Sequence, residues 1–280
     1  MNDKIELLSS IETINEMANS QMRMSLSPRK LRELEFHDQH RDSAIEKKLN
    51  PDVYEKLYGN KKYYITTTDS QKYLDSWIER HSKRKVFLDY ACGNGNTAIK
   101  AARYGAKLSV GIDISSISIL NARELAKKAG VEKNTRFVQA DVENTGLPAG
   151  SIDTVLCSGM LHHVDLSYAL PELRRILAPG GKMLALESLN YNPAITLYRH
   201  MTPQMRTEWE KSHILSLKDL NFAKRFFDLG EIRYWHILGI ASTHVPFLRN
   251  YLAFADRILT RVPLVKLLSW MFSFELIRRT

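Results

Sequence analysis

The strongest constraint on the fold is the alternation of short apolar segments with helix-like ones between residues 85 and 188. Val86-Phe87-Leu88 and the spans 108–112, 136–140, 152–157 and 182–187 read as buried strands. Between them, 97–104, 116–128 and 168–177 read as helices, closed by Gly105, Gly130 and Pro179-Gly180-Gly181. Parallel strands need a crossover connection, so this rhythm predicts a doubly covered parallel α/β sheet.

The flanks differ in texture. Residues 1–84 are polar and patchily helical, and Ser27-Pro28 starts a helix with a cap and a first-turn proline. Leu74, Trp77, Ile78 and His81 share one helical face. Beyond the sheet region, 190–227 reads as helical despite Pro193 and Pro203. The span 232–240 reads as a sixth strand, 251–260 as an amphipathic helix and 270–277 as a last strand. The expected organisation is a helical cover over 1–84 and a main domain over 85–280, with lid inserts at 190–230 and 241–265.

Composition excludes several classes. A hydrophobic fraction of 44% excludes wholesale disorder. Two cysteines cannot form a disulfide framework. No apolar run is long enough to span a bilayer, and no secretory signal is visible, so the expectation is a cytoplasmic protein. Of the net +9, residues 191–280 carry +6, with 13 Lys/Arg against 7 Asp/Glu. A basic surface of this kind either meets an anionic partner or is simply solvated.

The first strand runs into Gly93-Asn94-Gly95-Asn96-Thr97-Ala98, a glycine turn at a helix N-terminus. Asp89 stands four residues before it. A carboxylate there repels a pyrophosphate and attracts a cation, which favours S-adenosylmethionine over NAD. Asp113 closes the second strand, where an acid accepts ribose hydroxyls. Asp141 closes the third, placed to accept from an adenine amino group between Ile114 and Val142. The plainer alternative is that each acid only caps the loop or helix that follows it.

Together these segments resemble class I S-adenosylmethionine-dependent methyltransferases. The resemblance runs through 86–96, Val110-Gly111-Ile112-Asp113, Ala140-Asp141-Val142 with Leu147-Pro148, Ser151–Val155 with Leu161-His162-His163-Val164, and Leu173–Lys182. It is nearest the branch that includes quinone-biosynthesis methyltransferases. Ala91 departs from the glycine that most members carry, although alanine occurs there in that branch too. The resemblance implies a Rossmann-like, seven-stranded, mostly parallel sheet with the last strand antiparallel, helices on both faces and helical lid inserts. It also implies S-adenosylmethionine held by Asp89, Ala91, Gly93, Gly95, Asp113, Ile114, Asp141, Val142 and Ser158.

Methyl transfer from a sulfonium needs positioning, and for an oxygen or carbon acceptor sometimes a base. His162, His163 and Glu187, near the ends of the fourth and fifth strands, are the candidates. Tyr64, beside Tyr63, is placed to cover a sulfonium through a cation–π contact. His37-Asp38 reads as surface, with a place in a lid as the alternative. No close cluster of His and Cys is apparent, so no metal is expected. Arg199, Arg206 and Lys211, with His200 and His213, either bind an anionic acceptor or form a solvated face. The acceptor expected is a small molecule: lipophilic, quinone- or phenol-like, or glycan-linked. The alternatives are an RNA or protein substrate, or a catalytically silent S-adenosylmethionine-binding partner protein. No Asn/Asp-Pro-Pro-Tyr-like site and no appended RNA module is present, so nucleic acid is not expected. Residues 247–274 mix apolar, aromatic and basic side chains, a pattern read first as ordinary core packing and, as the alternative, as peripheral membrane contact.

Overall fold

The computed structural model describes residues 2–16, 19–41 and 49–280. Its centre is a seven-stranded sheet in the order β3-β2-β1-β4-β5-β7-β6. The strands are β1 Val86–Tyr90, β2 Leu108–Asp113, β3 Thr135–Gln139, β4 Ile152–Ser158, β5 Leu177–Ser188, β6 Asp228–Trp235 and β7 Met271–Ile277. The pairs β1–β2, β1–β4, β2–β3 and β4–β5 are parallel. Strand β7 runs antiparallel to both β5 and β6. The strand order therefore reverses between β1 and β4, and the strand C-termini on either side of that point open a crevice.

Side-chain alternation explains why apolar residues follow one another without a break in the middle of the central strands. Val86, Leu88 and Tyr90 enter one core with Val155, Cys157, Met183 and Ala185. Phe87, Leu156, Leu184 and Leu186 enter the core on the other face with Trp77 and Ile78. Both faces are thus dry, as a parallel sheet requires. The expected helical face of Leu74, Trp77 and Ile78 is buried, and the Trp77 indole N–H donates to Glu275 Oε1 at 2.6 Å.

The flanks correct the sequence reading in detail. The helical stretch expected over 190–227 is four pieces, Pro193–Met201, Pro203–Met205, Glu208–Ser212 and Leu217–Ala223. Asn192 caps the first piece through its side chain, and Thr207 and Ser216 do the same at two of the three breaks, Ser216 in a capping box with Asp219. The other break falls at Pro203, which cannot continue a helix. The sixth strand starts four residues earlier than expected and ends at Trp235 instead of Ile240. Its residues are half-exposed and its pairing slips between Leu229 and Ile232, which blurs the alternation that marks a strand. His236 follows with a φ of 64°, turning the chain away before the 3-10 turn Gly239–Thr243. The fifth helix-to-strand junction also moves: the helix ends at Ile176, and Pro179-Gly180-Gly181 already lies in β5.

His236 is buried against the Ser70 hydroxyl at 2.8 Å. Burial pushes its pKa down to about 4 from an ordinary 6.5, despite Asp69 nearby. The unfolded chain therefore binds this proton in a window where the native protein does not. Stability should fall as pH drops from 6.5 towards 4, by roughly 3 kcal/mol from this group. Urea titrations across that range should show the slope, and His236→Gln should remove this part of it.

Candidate functional site

The site is built at the C-terminal ends of β1, β2, β3 and β4. Three of the acids singled out there do cap local turns. Asp89 Oδ2 accepts from the Ala98 N–H at 3.0 Å, inside the first turn of helix Asn96–Arg103. It lies under the glycine turn and fills the helix N-terminus where a dinucleotide's pyrophosphate sits. Asp113 accepts from the Gly93 and Ser115 N–H groups at 2.8 and 2.9 Å. Asp141 accepts from the Glu143 N–H at 2.9 Å. Capping does not consume these carboxylates, because each oxygen accepts more than one hydrogen bond. Asp113 and Asp141 still line a narrow cleft of about 100 Å³ with Ala91, Ile114, Val142 and Ser158.

Asp89, Gly93 and Gly95 support this cleft without facing it. Gly95 has a φ of +76°, and a Cβ there would meet the Phe137 ring at 2.6 Å. Its glycine is required by packing beneath the turn. Ala91 also has a positive φ, 60°, a conformation that costs an L-residue about 1–2 kcal/mol and that glycine adopts freely.

Helix Pro28–Arg41 closes the cleft, and its part was not legible in the sequence. Lys30 Nζ pairs with Asp141 at 2.5 Å and with Glu143 at 2.8 Å. Burial works against the Lys30 charge, but the two acids hold its pKa above the ordinary lysine value. Arg29 pairs with Glu143 and donates to the His163 carbonyl at 3.0 Å. His37 and Asp38, expected at the surface, point inward. The His37 ring lies 4.9 Å from that of His163, and Asp38 accepts from the Ser115 hydroxyl at 2.5 Å.

A second, larger cavity of about 930 Å³ adjoins the first, and Ser158, Gly159, His37 and His163 line both. Its wall includes Tyr58, Tyr63, Tyr198, Arg199, Arg206 and Trp270. Tyr64 belongs to this wall, 5.3 Å ring to ring from Trp270, and is not among the residues lining the narrow cleft. That corrects the expectation of a tyrosine over the cofactor.

Where the cavities meet, Glu187 is fully buried at the end of β5. Its Oε1 accepts from the Met160 and Leu161 N–H groups, each at 2.8 Å. Its Oε2 meets His162 Nδ1 at 2.7 Å. Glu187 thus holds a loop and a histidine together and does not itself line the larger cavity. His162 lines that cavity, and its Nε2 makes no hydrogen bond among the described residues. Burial disfavours the charged ring, but Glu187 outweighs it and raises the His162 pKa above 6.5. His163 Nδ1 sits 2.9 Å from Glu33 instead. The expectation that no ligand cluster forms is also corrected: Glu33, His37 and His163 come within 4.8 Å of one another, as do His162, His163 and Glu210. Helical and loop segments far apart in sequence supply them, so no local spacing announces the groups.

Residues 88–185 match the family model described as a methyltransferase domain. This match is confined to that segment. A demethylmenaquinone methyltransferase of Thermus thermophilus is 37% identical over 117 residues, 41% of this chain and 51% of that protein. A 27-O-demethylrifamycin SV methyltransferase of Amycolatopsis mediterranei is 29% identical over 143 residues, 47% of this chain and 53% of that one. The chain spans about half the length of these curated relatives. The fold also matches a geranyl diphosphate C-methyltransferase from Streptomyces coelicolor, with TM-score 0.53 and 15% identity over 75% of this chain and 79% of that one. The [4+2]-cyclase SpnF shares the fold too, with TM-score 0.52 and 19% identity over 74% and 79%. The family implies S-adenosylmethionine as cofactor.

The lining chemistry suits that group, although at about 100 Å³ the cleft, closed by helix Pro28–Arg41, is too narrow to hold it until the helix shifts. The cleft offers carboxylates and apolar walls, and Asp89 already fills the helix terminus a phosphate would need. Asp113→Ala should weaken binding of S-adenosylhomocysteine at least about tenfold, the scale of one charge-assisted hydrogen bond. Asp113→Asn should lose less, because it keeps an acceptor for the Gly93 N–H. Calorimetry on both variants checks this.

Proposed function

We propose that this chain transfers a methyl group from S-adenosylmethionine to an oxygen or carbon of a lipophilic small molecule. The observation that carries the reading is the junction at Ser158-Gly159, where a narrow acid-lined cleft opens into a cavity faced by His162. Asp113 and Asp141, flanked by Ile114 and Val142, would hold the cofactor's adenosine. When bound, that cofactor supplies an activated methyl group on sulfur. The acceptor enters the larger cavity, and its proton passes to His162 Nε2. Glu187 fixes the histidine's tautomer through Nδ1 and stabilises the imidazolium that results. His163, bound to Glu33, shapes the passage between the two spaces.

The base works only when unprotonated. Turnover should therefore rise with pH through a midpoint above 6.5, since Glu187 raises the His162 pKa. Glu187→Gln should move the midpoint down and lower kcat by about 10²-fold, the usual contribution of a positioned base. Release of S-adenosylhomocysteine, followed with phenol, quinol and lipid-extract acceptors, measures both. Turnover that persists unchanged in His162→Ala would remove the base from the mechanism.

The acceptor's lipophilicity is supported by the surface beside the cavity. Helix Arg249–Leu259 packs on the 3-10 turn Gly239–Thr243, whose Ile240 and Ala241 line the cavity. On the side of this segment facing water, Phe247, Tyr251, Phe254 and Ile258 recur at helical spacing and keep between 54% and 80% of their surface exposed. Leu264 is 79% exposed at a turn with a φ of 66°. Arg249 and Arg261, at the two ends of this segment, are exposed. An apolar stripe with cations at its ends fits the surface of an anionic bilayer. No described helix is long and apolar enough to cross a membrane. Flotation with phosphatidylglycerol vesicles should carry the protein up. Phosphatidylcholine vesicles should do so weakly, and Phe254→Asp with Tyr251→Asp not at all.

A further inference from the structure

Arg199 has an unusual position for a permanently charged side chain. It projects from helix Pro193–Met201 into the wall of the larger cavity. It makes no hydrogen bond or ion pair among the described residues. Arg206 lines the same wall, but its Nη1 and Nε are already engaged. Nη1 donates to the Thr202 carbonyl at 2.8 Å and the Thr202 hydroxyl at 3.0 Å, and Nε faces Glu210 at 3.4 Å. Glu210 thus serves Arg206 first, and this part of the cavity is short of negative charge. Burial and the neighbouring Arg206 guanidinium together push the Arg199 pKa down to about 10, although Glu210 and Tyr64 pull the other way.

From this free guanidinium at the cavity wall, we infer that the methyl acceptor carries an oxyanion, a carboxylate or a phosphoryl group, and that Arg199 binds it. The inference rests on the reading of this cavity as the acceptor site. A planar fork of N–H donors matches either oxyanion with two parallel hydrogen bonds, and such pairs are strong where water is partly excluded. An incoming anion would relieve the repulsion between Arg199 and Arg206 and satisfy donors now left open. The rest of the acceptor is set by the remaining wall. Tyr63, Tyr64, Tyr198 and Trp270 offer aromatic faces, with Ile195 and Met205 between them. The geometry therefore selects an anionic molecule with an aromatic or apolar body. It places the anion on the Arg199 side of the cavity, while the reacting atom lies towards His162, which feels the Arg199 charge.

The test uses three probes of one shape, phenylacetate, phenyl phosphate and neutral phenylacetamide, titrated by NMR into the full chain with S-adenosylhomocysteine present. The wild type should bind at least one anion about tenfold more tightly than the amide. That preference should vanish in Arg199→Ala and partly return in Arg199→Lys. Preference for phenyl phosphate would assign a phosphoryl acceptor, and preference for phenylacetate a carboxylate. Equal binding of all three up to millimolar concentration, or a preference that survives Arg199→Ala, would overturn the inference. Affinity for S-adenosylhomocysteine is measured on every variant. If it is unchanged in Arg199→Ala, the fold and the cofactor cleft are intact, and the loss belongs to the anion site. If the wild type binds the anions but no S-adenosylhomocysteine, the anion site stands and the methyltransferase reading fails.

Discussion

The candidate site depends on one buried carboxylate. Glu187 ends the central strand β5 and bonds across to the loop that leaves β4. Without it, two backbone N–H groups and an imidazole nitrogen would face an apolar interior, at about 1–3 kcal/mol for each unsatisfied group. The carboxylate is itself tolerable there only because three donors converge on it. This arrangement fixes the position of Ser158-Gly159, the shared wall of the two cavities, and it fixes which nitrogen of His162 meets the larger one. Fold stability and candidate chemistry are carried by the same hydrogen bonds, so the loop cannot drift relative to the sheet without losing both.

The sheet was legible because its information is local. A strand buried on both faces reads as a near-continuous apolar run, as Val86-Phe87-Leu88 of β1 and Val155-Leu156-Cys157 of β4 do. The acids follow from the same logic, since ligands in an open α/β sheet gather at strand C-termini. What was hidden lies in contacts across long sequence distances. Arg29 and Lys30 meet Glu143 and Asp141 from a helix more than a hundred residues earlier, and Glu33 meets His163 likewise. No spacing rule reports such a pairing. His37-Asp38 read as surface because helix Pro28–Arg41 is polar on most sides, and only the docked helix shows which side faces in. The sixth strand was misplaced because an edge strand, half in water, keeps no strict alternation.

The helical cover is fastened to the sheet by charge as well as by apolar contact. Met22, Leu26 and Leu34 form a small core with Ile114 packed against it. Beside it, Arg29 and Lys30 neutralise the acids of the strand ends. Buried pairs of this kind recover in mutual attraction what they lose in hydration, and gain little beyond that. A cover held in part this way closes the cleft to about 100 Å³ without adding much to stability. The sheet beneath needs no such closure, because its own cores are complete.

The narrow cleft combines two parts of the chain: Asp113, Asp141 and Glu143 come from the matched span 88–185, and Arg29, Lys30 and Glu33 from the helix that covers it. The arginines and most aromatic residues of the larger cavity lie outside that span, in the N-terminal cover, the segment after β5 and the approach to β7. The larger cavity is thus walled mostly by segments outside the matched span, the part in which this chain is not aligned with its relatives. His162 stands on the boundary: its loop comes from the matched span, while Glu210 and Arg199, from outside it, pull its protonation in opposite directions. The segment that walls the larger cavity thereby also adjusts the proton affinity of the histidine that faces it.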